Sequence, residues 1–157
     1  MPERRFLEDF LVGQRFESAA SYEVEREPMV NFAREFDPQP IHVDEPAAAA
    51  ELFGGLVASG WLTLAATTRL VLAASPLGAT PTVGVGIDNL RFQAPVLAGD
   101  VLIAQAEVLE VRASRSHPQR GYLVLRVVTR RRSDGEPVLT QDWTLLVPKR
   151  PTGAAIS

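Results

Sequence analysis

The run from Leu52 to Ser75 limits the fold more than any other stretch of the chain. Arg69 is its only charged residue, and Gly54, Gly55 and Gly60 break its first part. Ser59 stands where it can cap a helix over roughly 60–74, closed by Ser75-Pro76-Leu77-Gly78. Such a helix is apolar almost all round, which is the pattern of a buried helix. Its length raises the question of a membrane span. Arg69, the interspersed threonines and serines, and the three glycines favour a buried helix in a globular fold, so no membrane is expected.

From residue 82 the hydrophobic period changes from helical to alternating. Strands are expected over 83–93, over 101 to about 112, over 122–131 and over 138–147. Pro95 and Gly99-Asp100 mark a turn, 114–120 a loop containing His117-Pro118, and Ser133-Asp134-Gly135-Glu136 a hairpin turn. Gly84 and Gly86 are too close for a dinucleotide fingerprint and read as a close approach of strand to helix. Upstream, 6–16 reads as an amphipathic entry segment, 17–26 as a strand and 27–36 as a helix stopped by Pro38. Asp44 reads as the N-cap of a short helix running through Leu52 and ended by Gly54-Gly55. The tail from Pro148 is expected to fray.

One long apolar helix among antiparallel strands defines an α+β chain: a curved sheet wrapped around a central helix, the hot-dog arrangement. The 157 residues fit a single domain, 1–157, with its core over about 8–147. A single sheet leaves an edge strand exposed, so a homodimer with a continuous sheet is expected, with room for higher assembly. The chain has no cysteine and two histidines far apart, which argues against a zinc or His-based metal site; no metal or cofactor is expected. The N-terminus lacks the apolar stretch of a secretory signal, which points to the cytoplasm. Residues 1–60 carry five arginines against twelve acidic residues, while 91–150 carry ten basic against six acidic. With a net charge of −3 and no basic stripe interleaved with aromatics, nucleic acid is a poor partner.

The candidate chemistry lies in Phe36-Asp37-Pro38-Gln39-Pro40-Ile41-His42-Val43-Asp44. A carboxylate and an imidazole sit five residues apart, in a segment that two prolines stiffen. Alone, Asp37 reads as a polar helix stop and His42 as a histidine bonded to backbone. Together, beside the apolar helix, they read as an acid/base pair. Gly60, at the helix start, either permits close packing or lets a ligand reach unpaired N–H groups at the positive end of the dipole.

Three blocks resemble the MaoC-like dehydratases, a family that includes the (R)-specific enoyl-CoA hydratases. They are Asp37-Pro-Gln-Pro-Ile-His42-Val-Asp44, Phe53-Gly-Gly-Leu-Val-Ala-Ser-Gly60 and Leu90-Arg-Phe-Gln-Ala-Pro-Val-Leu-Ala-Gly-Asp100. The resemblance covers roughly 8–147, and its third block is shared widely among hot-dog proteins. It implies a hydro-lyase that adds water reversibly across the double bond of a trans-2-enoyl thioester carried by coenzyme A or an acyl-carrier protein. It implies Asp37 and His42 as the pair that holds the water, and the Gly60 N–H as the donor to the thioester carbonyl. Gln39 and Pro40, which lie between the two members of the pair, and Ser59 and Trp61 at the helix start are expected to contact the substrate, Gln39 replacing an asparagine of many members. Ser59 stands where relatives often carry a histidine. Ala65 stands where some hydratases carry a serine near the pair, so that hydroxyl is missing.

Leu56, Val57, Trp61, Leu62 and Leu64 are candidates for an apolar acyl slot, most of them equally readable as core. Arg112, Arg115, Arg120 and Arg130-Arg131-Arg132 are candidates for coenzyme phosphates or for a solvated face. Two other functions compete. A hot-dog thioesterase often places a carboxylate on the central helix, but 60–74 has none. A non-catalytic acyl-thioester binder remains compatible with Leu62 and Ala65.

Overall fold

The computed structural model describes residues 2–153. A 3-10 turn, Leu7–Asp9, leads into two short strands, β1 (Arg15–Glu17) and β2 (Tyr22–Glu23). Three helical pieces follow: α1 (Arg26–Phe36), α2 (Pro40–Val43) and α3 (Glu45–Ala49). The long helix α4 (Gly60–Ala73) precedes four long strands, β3 (Val83–Phe92), β4 (Val101–Ala113), β5 (Arg120–Arg131) and β6 (Pro137–Pro148). All pairings are antiparallel, in the order β1-β4-β5-β6-β3, with β2 also on β4.

The alternation in β4 and β5 decides which face meets the helix. Leu102, Ala104, Ala106 and Val108 of β4 are buried, as are Leu123, Leu125, Val127 and Thr129 of β5. Period-two burial puts these side chains on one face. Leu62, Leu70 and Val71 of α4 belong to the core cluster with the apolar ones. The result is the hot-dog arrangement expected from the sequence. Among the described residues, no helix is long and apolar enough to cross a membrane.

Several expectations need correction. The stretch 17–26 is not one strand: β1 and β2 pair with separate parts of β4, and Arg26 already begins α1. Gly13, with φ of +89°, ends the entry segment, and its N–H is tied to the Val108 carbonyl. The helix capped by Asp44 ends at Ala49, leaving Leu52 and Phe53 exposed. Asp44 does cap it, accepting from the Ala47 N–H at 3.2 Å. Helix α4 is not buried all round. Trp61, Ala65, Thr68 and Leu72, at i, i+4, i+7 and i+11, form an exposed stripe.

Gly84 and Gly86 do not approach the helix; a Cβ on either would meet open space. They lie on β3, where Val83, Val85 and Ile87 are each more than half exposed. Among the described residues β3 pairs with β6 alone, which makes it an edge strand with one side uncovered. The C-terminal segment holds on further than expected. Pro148 is still in β6, the Lys149 N–H reaches the Gln119 carbonyl, and Arg150 pairs with Asp9. Residues 154–157 of the tail lie outside the described part.

Candidate active site

Pro38 excludes the α conformation at Asp37, and α1 ends there with Asp37 at φ −152°. Pro40 then opens the turn α2, a position where its missing N–H and fixed φ suit a helix start. The segment that the two prolines stiffen contains a single helical turn, Pro40–Val43, and this turn swings His42 back toward Asp37. His42 Nε2 lies 3.2 Å from Asp37 Oδ2, and both side chains are largely buried.

Each partner is oriented by a further contact. His42 Nδ1 is 2.7 Å from the Val57 carbonyl oxygen. A carbonyl only accepts, so Nδ1 carries a hydrogen and Nε2 faces the carboxylate. The Val57 N–H in turn donates to the Ile41 carbonyl, clamping α2 to the segment before α4. Asp37 Oδ1 accepts from Gln39 Nε2 at 2.7 Å, and Oδ2 accepts from Ser59 Oγ at 2.7 Å. The Gln39 bond above all, then Ser59 and the neighbouring His42, hold the Asp37 carboxyl below its usual range despite partial burial. Asp37 is therefore ionised at neutral pH, with each carboxylate oxygen held by one donor, Gln39 on Oδ1 and Ser59 on Oδ2.

Ser59 also caps α4, accepting from the Trp61 N–H at 3.2 Å. This leaves the Gly60 N–H without an acceptor among the described residues. The preceding residue is fixed from the other side, where the Ala58 N–H donates to the Val96 carbonyl at 2.8 Å. Between these pieces opens a cleft of about 440 Å³ that includes Asp37, Gln39, His42 and Gly60. Its apolar lining comes from Ile41, Phe53, Val57, Trp61, Phe92, Val96 and Val138.

The structure thus brings together Asp37, His42, Gln39 and Gly60 in one cleft. Ser59 lies behind Asp37, fully buried, and Trp61 forms the exposed rim. Pro40 shapes the turn without lining the cleft. Of the apolar candidates, Val57 and Trp61 line it, whereas Leu56 and Leu62 belong to the core and Leu64 packs against it. Ala65 is exposed on the outer stripe of α4, outside the cleft lining. The hydroxyl near the pair is supplied by Ser59 instead.

The candidate arginines divide. Arg112 stacks on Tyr122 and pairs with Glu110. Arg120 is in register with Pro148, at the far end of β6 from cleft-lining Val138. Ten residues of strand put it roughly 30 Å from its own cleft. Arg131 sits close by: it donates to the Pro95 carbonyl at 2.8 Å and pairs with Asp100 and Asp134, bracing the loop that forms one cleft wall. His117 is an exposed loop residue bonded to Ser116 Oγ, away from the cleft.

Phe92, Thr63, Phe53 and Ile41 line the cleft and were not singled out from the sequence. Phe92 falls within a block that marks the fold, and Ile41 lies beside His42, but one-dimensional spacing does not reveal which side chains turn inward.

A curved antiparallel sheet around one helix, with a clamped Asp–His pair at the helix start, defines a hot-dog protein of the hydratase–dehydratase type. Residues 9–127 match the MaoC like domain, and the chain belongs to that family. The structure is similar to that of a MaoC-like dehydratase from Rhodospirillum rubrum, with TM-score 0.83 and 40% identity, covering 94% of this chain and 99% of that one. It is also similar to R-Hydratase PhaJ1 from Pseudomonas aeruginosa, with TM-score 0.68 and 26% identity, covering 97% and 93%. Among curated sequences, it is 36% identical to the uncharacterized protein YdeM of Bacillus subtilis over 110 residues, 70% of this chain and 77% of that protein. It is 37% identical over 76 residues to 3-hydroxyacyl-thioester dehydratase Z of Mycobacterium tuberculosis, 48% of this chain and 50% of that protein.

Proposed function

We propose that this chain is a hydro-lyase that adds water reversibly across the double bond of a trans-2-enoyl thioester. The observation that carries this reading is the Asp37–His42 contact at 3.2 Å, facing a cleft that also contains the Gly60 N–H. The names of the R-hydratase and the thioester dehydratase support the same chemistry.

The thioester carbonyl accepts from the Gly60 N–H, at the positive end of α4. A water held between Asp37 and His42 loses a proton to the Asp37 carboxylate as its oxygen bonds to carbon 3. The π electrons move toward the carbonyl oxygen, where the Gly60 N–H stabilises the enolate. That electron pair then takes a proton from the pair at carbon 2. One water is consumed, with hydroxyl on carbon 3 and hydrogen on carbon 2, and the pair returns to its starting protonation. Because one pair serves both carbons, both additions fall on the same face. The reverse sequence dehydrates a 3-hydroxyacyl thioester. The apolar lining receives the acyl chain, and the carrier, coenzyme A or an acyl-carrier protein, lies at the mouth.

The working form is read as a homodimer. Edge strand β3 and the stripe Trp61, Ala65, Thr68 and Leu72 offer a second copy both unpaired backbone and apolar surface. A non-catalytic binder is the alternative, and one experiment separates the two. Purified protein is added to crotonyl-CoA and longer trans-2-enoyl-CoAs while the enoyl-thioester absorbance is followed, with Asp37→Asn in parallel. Loss of absorbance with the native chain alone supports the hydratase. No loss at any chain length, with tight thioester binding, supports the binder.

A further inference from the structure

Phe92 stands over Gly60. A Cβ built on Gly60 would lie 2.5 Å from Phe92 Cε1 and 2.8 Å from Cζ. The gap between this ring and the start of α4 therefore does not admit a methyl-sized group. The ring is not swept there by regular pleating. Opposite Asp142 and Thr140 of β6 stand Asp88 and Arg91 of β3, so β3 carries one extra residue between them. A one-residue slip exchanges the faces of all that follows, and this bulge turns Phe92 to the helix side of the sheet, beside buried Leu139.

The bulge is braced. Asn89 adopts the left-handed conformation, φ +53°, and donates its Nδ2 to Asp142 Oδ2 at 2.9 Å. Arg126 grips the same carboxylate through Nε at 3.0 Å and Nη2 at 3.2 Å. Asp142 is 6% exposed, a buried charge that persists because it is paired and hydrogen-bonded.

We propose that Phe92 sets specificity at carbon 2 of the acyl group, excluding thioesters branched there, and that the Asn89–Asp142 brace is what aims it. This rests on the hydratase reading. With the carbonyl oxygen on the Gly60 N–H, carbon 2 is two bonds from that oxygen and a methyl on it three. Such a methyl enters the space beside Gly60 that the ring already fills. Straight-chain 2-enoyl thioesters present only hydrogen there. Phe92 acts on the substrate by contact; Asn89 acts through Phe92 and is a positioning residue.

The test compares crotonyl-CoA with trans-2-methylbut-2-enoyl-CoA. In the native chain kcat/KM favours the unbranched substrate. In Phe92→Ala the branched-to-unbranched ratio rises by about tenfold or more, the effect of one methyl group on a tight pocket. Phe92→Leu gives a smaller rise and serves if the alanine variant does not fold. Asn89→Gly, which keeps the left-handed backbone but removes the amide, moves the ratio in the same direction. An unchanged ratio in both Phe92 variants overturns the proposal, as does equal use of both substrates by the native chain.

If the native chain hydrates neither thioester, the hydratase reading fails while the wall is still decided by binding. Calorimetry with butyryl-CoA and isobutyryl-CoA then applies. A gain for isobutyryl-CoA in Phe92→Ala supports the wall; an unchanged preference, or no binding of either, overturns it.

Discussion

Ser59 serves Asp37 and helix α4 with one oxygen. Its Oγ donates to Asp37 Oδ2 at 2.7 Å and accepts from the Trp61 N–H at 3.2 Å. The cap that starts the central helix therefore also holds the carboxylate. Ser59→Ala is expected to lower stability by about 1 kcal/mol through the lost cap, measured from urea unfolding. Turnover falls at the same time. A stability loss with unchanged turnover would show that Ser59 does not orient the carboxylate.

Gln39 is the strongest influence holding the Asp37 carboxyl low. A base must be unprotonated to work, so activity falls as pH drops through the folded-state value. Gln39→Ala raises that value, and the acid limb of kcat/KM shifts to higher pH. The sign for stability follows. Stabilisation from a depressed carboxyl is complete above its ordinary value and fades as pH falls through the folded one. Gln39→Ala therefore flattens the acid side of the stability curve. A limb that stays in place would assign it to another group.

Gly60→Ala drives a Cβ into the Phe92 ring. The ring is 55% exposed and must rotate away. The single variant is expected to lose both stability and turnover. Adding Phe92→Ala removes the clash while the N–H of residue 60 remains. A double-mutant cycle in urea should show coupling of about 1 kcal/mol, with Phe92→Ala relieving the cost of the new methyl. Strict additivity would mean that the contact carries no energy.

Gln141 is 1% exposed, and neither end of its amide finds a partner among the described residues. Leaving buried polar atoms unpaired is costly. Gln141→Met, similar in volume and without the amide, is expected to raise the urea midpoint, by about 1 kcal/mol of stability. A loss of stability would reveal a bound water or a second role for the amide.

The sequence made much of the scaffold legible, because burial leaves a periodic trace. Alternation in β4 and β5 and the apolar run of α4 gave the layers. Turns at Gly99 and Gly135, both with positive φ, were marked by their glycines. Asp37 and His42 stood out because the prolines between them are conspicuous. What stayed hidden depends on contacts between distant residues. The Ser59–Asp37 bond spans 22 positions. Phe92 meets Gly60 only because of a bulge; the apolar alternation does change parity there, from Val83, Val85 and Ile87 to Leu90 and Phe92, but that shift does not say what the ring meets. The openness around Gly84 and Gly86 was misread for a related reason. A glycine pair reports that backbone can come close, not whether anything does.

Strand order has a consequence for biosynthesis. Of the described strands β6 is made last, yet it sits between β5 and β3, and among the described residues it is the strand with which β3 pairs. As the chain leaves the ribosome, β3 emerges long before its neighbour and waits without a backbone partner. The sheet closes only when residues 137–148 arrive and slot between two strands already made. Until then the nascent chain shows a long, apolar, unsatisfied ribbon, the kind of segment that chaperones hold and that aggregates without them.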